Sequence, residues 1–245
     1  MSTGSGDTTV LQAMPGSRTV AAERGWAWIA EGWRLFLRAP GIWIAMILVL
    51  LVISFALNFI PLVGSIAAMV LQPVFVAGLV IATAKMHKGE EPQFADLFAG
   101  FQTQFGRLAS VGAIYMAATV AIVVVAALVT GLGAFSLASA GAMSPAVAMS
   151  LLLAVLIVMA LMVPLLMALW FAVPLVLFHN QGAVEAMKGS FVGCLRNIMP
   201  FLVYGVAGFV LAILACIPLM LGWLVLIPVF AATVYTGYRD IFLAA

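Results

Sequence analysis

Charge is what this sequence has least of. Asp, Glu, Lys and Arg make up 7% of its 245 residues, where soluble domains carry about a quarter. That scarcity excludes an ordinary water-soluble surface. Cysteine is nearly absent as well, with two in the chain. Cys194 and Cys216 fall in different zones of the expected topology, so no disulfide framework is expected and both read as small apolar fillers. No run alternates polar and apolar residues in the manner of a membrane β-barrel. No HExxH, GxSxG, Walker or GxGxxG pattern occurs, which leaves no soluble-type active site and no nucleotide cofactor to expect. His87 and His179 have no carboxylate or thiol at ligand spacing around them, so no metal is expected. A net charge of +2 without a basic cluster argues against nucleic acid as a partner.

What is present is hydrocarbon. Apolar residues account for 66% of the chain and the mean hydropathy is +1.27. Uncharged runs long enough to cross a bilayer fall at Gly41–Ile60, Leu62–Lys85, Leu108–Leu132, Val147–Phe178, Met199–Ile217 and Leu219–Tyr238. Pro73, Pro164, Pro174 and Pro228 lie within these runs and are candidate kinks. Residues 1–20 are rich in Ser, Thr and Gly, have no apolar core, and read as a disordered tail rather than a signal peptide. Residues 21–245 form one six-span membrane domain.

The few charges are sorted by side. Three of the inter-span loops, NFIPLVGS, GAFSLASAGAMSPA and CIPLMLGW, carry none. Every Lys and Arg (Arg18, Arg24, Arg34, Arg38, Lys85, Lys88, Arg107, Lys188, Arg196 and Arg239) falls on the opposite side. An excess of basic residues in short loops marks the cytoplasmic face, so both termini of this multi-pass chain are expected there.

The chain also repeats. Gly32 and Gly189 are 157 residues apart, as are Pro61 and Pro218, each inside an Ile-Pro-Leu. QPVF (72–75) matches IPVF (227–230), and the middle third follows the plan more loosely. Three pseudo-repeats result, about 22–88, 92–180 and 183–243. The expected fold is all-α: six transmembrane helices arranged as three hairpin units, each preceded by a cytoplasmic interfacial amphipathic helix.

Those opening segments carry the candidate functional residues. In EPQFADLFAGFQTQFGR (91–107), Phe94, Leu97, Phe98, Phe101 and Phe105 form one continuous helical stripe. Trp26, Ile29, Trp33 and Phe36 are expected to do the same in the first unit, and Val184, Met187, Phe191 and Leu195 in the third. Asp96-x3-Gly100-x6-Arg107 recurs as Glu185-x3-Gly189-x6-Arg196. Acid and arginine sit about 16 Å apart along a helix and cannot pair within it. Glu31, Arg38, Asp96, Gly100, Arg107, Glu185, Gly189 and Arg196 are therefore candidates for contact with a neighbouring unit or with lipid phosphate.

The segments RGWAWIAEGWRLFLRAPGIWI, EEPQFADLFAGF, GSFVGCLRNIMPFLVYG and VYTGYRDIF resemble a family of beta-proteobacterial inner-membrane proteins carried as hypothetical transmembrane proteins. The resemblance covers about residues 20–243. In plan the chain is more distantly similar to YciC-like inner-membrane proteins and to the membrane domain beside some glycerophosphodiester phosphodiesterases. The resemblance implies a cytoplasmic-membrane location and no reaction. With no ionisable residue in a span core, where coupled transport needs one, the expectation is a non-enzymatic scaffold or accessory factor. Its expected partners are membrane lipids, anionic ones included, envelope proteins, or further copies of itself. The alternative is a small-solute or lipid transporter without buried coupling charges.

Overall fold

The computed structural model of the chain describes residues 16–140 and 145–243. The described residues form α-helices joined by short turns. α1 (Arg24–Arg38) precedes the hairpin α2 (Pro40–Asn58) and α3 (Val63–His87). A 3-10 turn (Phe94–Phe98) and the short α4 (Ala99–Gln102) precede α5 (Phe105–Ala140) and the pair α6 (Pro145–Trp170) and α7 (Ala172–His179). α8 (Ala183–Arg196) precedes the last hairpin, α9 (Ile198–Cys216) and α10 (Trp223–Phe242). Six stretches are long and apolar enough to cross a membrane: Pro40–Asn58, Val63–His87, Phe105–Gly131, Ala148–His179, Ile198–Cys216 and Trp223–Phe242. The protein is an all-α polytopic membrane protein.

Each span boundary has a local cause. Pro40 starts α2 at a position where its missing N–H is no loss. The first and last hairpins turn at the two Ile-Pro-Leu sequences, where Leu62 (φ 63°) and Leu219 (φ 51°) both take a positive φ. Such a conformation costs a non-glycine residue about 1–3 kcal/mol and persists only where the surroundings impose it. The constraint is the close return of the chain. A Cβ on Gly64 would lie 1.7 Å from the Leu57 carbonyl oxygen, and one on Gly222 would lie 2.5 Å from Ala215 Cα.

Three expectations need correcting. The aromatic segment of the second unit is not one interfacial helix. It forms the 3-10 turn and α4, breaks at Thr103 and Gln104, and gives Phe105 to α5. The break follows from Gly100 being drawn against α3, as described below. α5 also continues past Leu132 to Ala140, so most of the loop expected at 133–146 is helix, and residues 141–144 lie outside the described part. Finally, residues 1–15 of the expected tail lie outside the described residues, but the chain is already held from Ser17. Arg18 N–H donates to Ile241 O at 2.9 Å and Val20 N–H to Asn197 Oδ1 at 2.8 Å.

Pro73, Pro164 and Pro228 sit inside continuous helices. The fourth span does break, at Phe171, between α6 and α7. Pro174 has no N–H for the carbonyl four residues back, which weakens the ladder there. At the same break the Phe171 N–H donates to Ser190 Oγ at 2.8 Å.

Each expected apolar stripe is only partly buried, with Ile29 and Phe36 inside in α1 and Met187 in α8. α1 buries Gly25, Trp28, Ile29, Gly32, Leu35 and Phe36, leaving Trp26 54% and Trp33 45% exposed. α8 buries Ala186, Met187, Ser190, Gly193 and Cys194, leaving Val184 and Leu195 outside. Hydrocarbon solvates large apolar side chains as well as a protein core does, so within a membrane small residues and hydrogen bonds select the packing face.

Candidate functional site

The three opening segments do not pack chiefly on their own hairpins. Each packs on the second span of the unit before it, and α1, which has no unit before it, packs on α10 and α9 of the last. The units therefore close into a ring, with three joints of related construction.

Each joint seats an opening-segment glycine beside the residue that follows a proline in the neighbouring span. A Cβ on Gly100 would lie 2.2 Å from the Val74 carbonyl oxygen, next to Pro73. On Gly32 it would lie 2.8 Å from the Val229 carbonyl oxygen, next to Pro228. On Gly189 it would lie 3.3 Å from Leu175 Cδ1, next to Pro174. At the first two joints the backbones touch. At the third a side chain intervenes.

Polar locks sit beside these contacts, at the charged end of the bundle. Between the first and second units, Lys85 Nζ pairs with Asp96 Oδ1 at 2.5 Å, and Gln93 N–H donates to Asp96 Oδ2 at 2.8 Å. Between the third and first, Asp240 Oδ2 accepts Arg24 Nε at 2.6 Å and Trp28 Nε1 at 2.8 Å. Asp96 and Trp28 each lie four residues before their joint glycine, and Lys85 and Asp240 each lie twelve residues after their joint proline. The two locks occupy equivalent positions with donor and acceptor exchanged. Between the second and third units the lock is a hydroxyl. Ser190 Oγ accepts from Phe171 N–H and donates to Met167 O at 2.6 Å. Cys194 lies one turn on, its Sγ 3.4 Å from the same Met167 oxygen, and burial pushes its thiol up to about 12. That suits a filler and not a nucleophile.

A second cluster braces the closing joint. Glu31 of α1 pairs with Arg239 Nη2 at 3.0 Å and lies 3.5 Å from His87 Nδ1, while Arg239 also reaches the His87 ring. Tyr238 Oη and His179 Nε2 share a hydrogen bond at 2.7 Å. Aromatic rings fill the centre where the units meet. Phe201 lies 5.5 Å from Trp28, 5.7 Å from Trp170 and 5.8 Å from Phe171, ring centre to ring centre.

The eight residues singled out in the sequence fall into distinct roles. Asp96 and Glu31 reach another unit. Glu185 does not. It accepts its own Gly182 N–H at 3.4 Å and caps α8. Gly100 and Gly189 are joint glycines. The three arginines donate only to uncharged oxygens. Arg38 reaches Met86 O at 3.2 Å, Arg107 reaches Asn180 O at 2.5 Å, and Arg196 reaches Ser17 O at 3.0 Å. Sequence reasoning passed over Trp28, Arg24, Ser190 and Asp240. The signal for Asp240 was available, since an acid ending an otherwise apolar span demands a partner. Among the described residues no group of three His, Cys, Asp or Glu stands close enough to hold a metal.

The fold and its joints thus define a polytopic helical membrane protein braced at one end. A protein of Burkholderia thailandensis named a probable inner membrane protein is 28% identical over 208 residues, 79% of this chain and 75% of the relative. That likeness bears on the inner-membrane resemblance and not on the YciC-like or phosphodiesterase-associated proteins. No family model matches the chain, and no solved structure matches it.

Proposed function

We propose that the protein is a non-enzymatic accessory or scaffold factor of the bacterial inner membrane that works through contact with anionic lipid at its charged end. The observation that carries this reading is how the cations divide. Arg24, Lys85 and Arg239 are neutralised by carboxylates across the joints. Arg38, Arg107 and Arg196 meet only carbonyl, amide and hydroxyl oxygens. One set closes the ring. The other, one from each unit, keeps its charge available to lipid phosphate, for which arginine is well suited. The positive-inside rule puts this end in the cytoplasm. Envelope proteins and further copies of the chain are the protein partners in keeping with the wide apolar outer surface.

Native mass spectrometry of protein purified in mild detergent tests the proposal. Anionic phospholipid should be retained in preference to zwitterionic, and the triple variant Arg38→Glu, Arg107→Glu, Arg196→Glu should retain fewer anionic lipids while staying folded. No preference in the unaltered protein would end the reading. A transport role, suggested by the repeat, is decided by solute flux into proteoliposomes, and equal flux with and without the protein removes it for the solutes tried.

A further inference from the structure

Two apolar grooves open sideways from the bundle, both beside an opening-segment helix. One lies between α6, α8 and α9, encloses about 350 Å³, and is lined by Val163, Met167, Trp170, Leu195 and Phe201 with no charged residue. The other encloses about 490 Å³ and runs along the last hairpin from Ala215 and Gly222, at the turn, to Trp26, Trp33 and Arg34 on α1. Gly222 to Val229 is two turns of α10, so the groove follows that helix for about 10 Å. It exists because α9 and α10 touch closely at their turn, through Gly222 on Ala215, while α1 lies against the hairpin beyond the turn, with Gly25 on the Pro200 carbonyl and Gly32 on the Val229 carbonyl.

Arg34 separates the two. Among the described residues no hydrogen bond or ion pair engages its guanidinium, and it borders a groove otherwise built from Ile, Leu, Val, Ala, Gly and Trp. A guanidinium at the edge of hydrocarbon is costly unless it meets an anion or reaches water. Trp26 and Trp33, half exposed in the same lining, have the amphipathic character of residues that sit at headgroup level. A groove open to the bilayer core admits only what the bilayer contains.

We infer that this groove is a binding site for one anionic phospholipid, with an acyl chain along α9 and α10 and the headgroup phosphate on Arg34. The site deepens the lipid reading above and rests on it, but on an arginine that plays no part in the test given there. The volume lies within the roughly 300–1,000 Å³ of small-ligand sites.

The experiment places the full-length protein in nanodiscs of mixed phosphatidylglycerol and phosphatidylcholine, transfers it to detergent, and counts retained lipid by native mass spectrometry. Unaltered protein should keep phosphatidylglycerol in several-fold excess over phosphatidylcholine. Arg34→Gln should lower the count of retained phosphatidylglycerol by one, and Ala30→Phe, which fills the groove, should remove one tightly held lipid of either type. Lys188→Gln, on a different helix, should leave the excess unchanged. No excess in unaltered protein would sink the wider lipid reading together with the site. A count of retained phosphatidylglycerol unchanged by both Arg34→Gln and Ala30→Phe would overturn the site alone and leave the wider reading standing.

Discussion

The joint between α3 and the Phe94–Phe98 turn and the joint between α10 and α1 are the same piece of construction made with opposite charges. In the first, the span supplies the cation, Lys85, and the opening segment the acid, Asp96. In the second, the span supplies the acid, Asp240, and the opening segment the donors, Arg24 and Trp28. Both carboxylates are nearly buried, at 5% and 7%. In both, a glycine lies on the backbone just past a proline. The shared geometry and the exchanged polarity show which feature comes first. Close backbone approach sets where the segment sits, and the ion pair then satisfies whatever charge that placement buries.

The largest effect expected from breaking this construction is steric. Gly100→Ala drives a methyl into the fixed Val74 carbonyl and should lower stability by about 3 kcal/mol, near the upper end for overpacking. Gly32→Ala, with more room, should cost about 1–2 kcal/mol, and Gly189→Ala, which meets only the end of a leucine, less than about 1 kcal/mol. Thermal unfolding in detergent ranks the three, and any other order would show that glycine contact is not what seats the segments.

The exchanged polarity predicts a rescue of intermediate size. Lys85→Asp sets two carboxylates together and should cost about 2 kcal/mol. Adding Asp96→Lys copies the polarity of the closing joint and should recover more than half of the loss, though not all, because Asp96 also caps Gln93 N–H. A double variant no more stable than the single one would mean that the two joints are not interchangeable.

The joint without charge should respond least to removal of its lock. Ser190→Ala strands the buried Phe171 N–H and should cost about 1–2 kcal/mol, read from the same melts. A larger loss than from Lys85→Asp would reverse the order proposed for the three joints.

Much of this was legible in the sequence, for identifiable reasons. The spans and hairpins follow from hydropathy and from the side on which Lys and Arg gather, and the repeat from the equal spacing of Gly32 with Gly189 and Pro61 with Pro218. Gly32 and Gly189 turn out to be joint residues, and Pro61 and Pro218 lie at the turns of the first and last hairpins. The packing faces were not legible, because periodicity finds the most apolar stripe and, in lipid, Trp33, Val184 and Leu195 gain nothing by turning inward. The partners of the charges were illegible for another reason. Arg24 and Asp240 are 216 residues apart, and nothing local in either segment signals that the chain closes on itself.

That closure is the central claim, and a double-mutant cycle between Arg24 and Asp240 tests it most directly. Arg24→Gln, Asp240→Asn and the double variant are compared by unfolding, with Arg24 and Asp96 as an unlinked control pair. The ring predicts a coupling of about 1–2 kcal/mol for Arg24 with Asp240, reduced from a fully buried pair because Arg24 is partly exposed, and none with Asp96. Additivity of Arg24 and Asp240 within about 0.5 kcal/mol would contradict it, removing their ion pair as a tie between α1 and the last span.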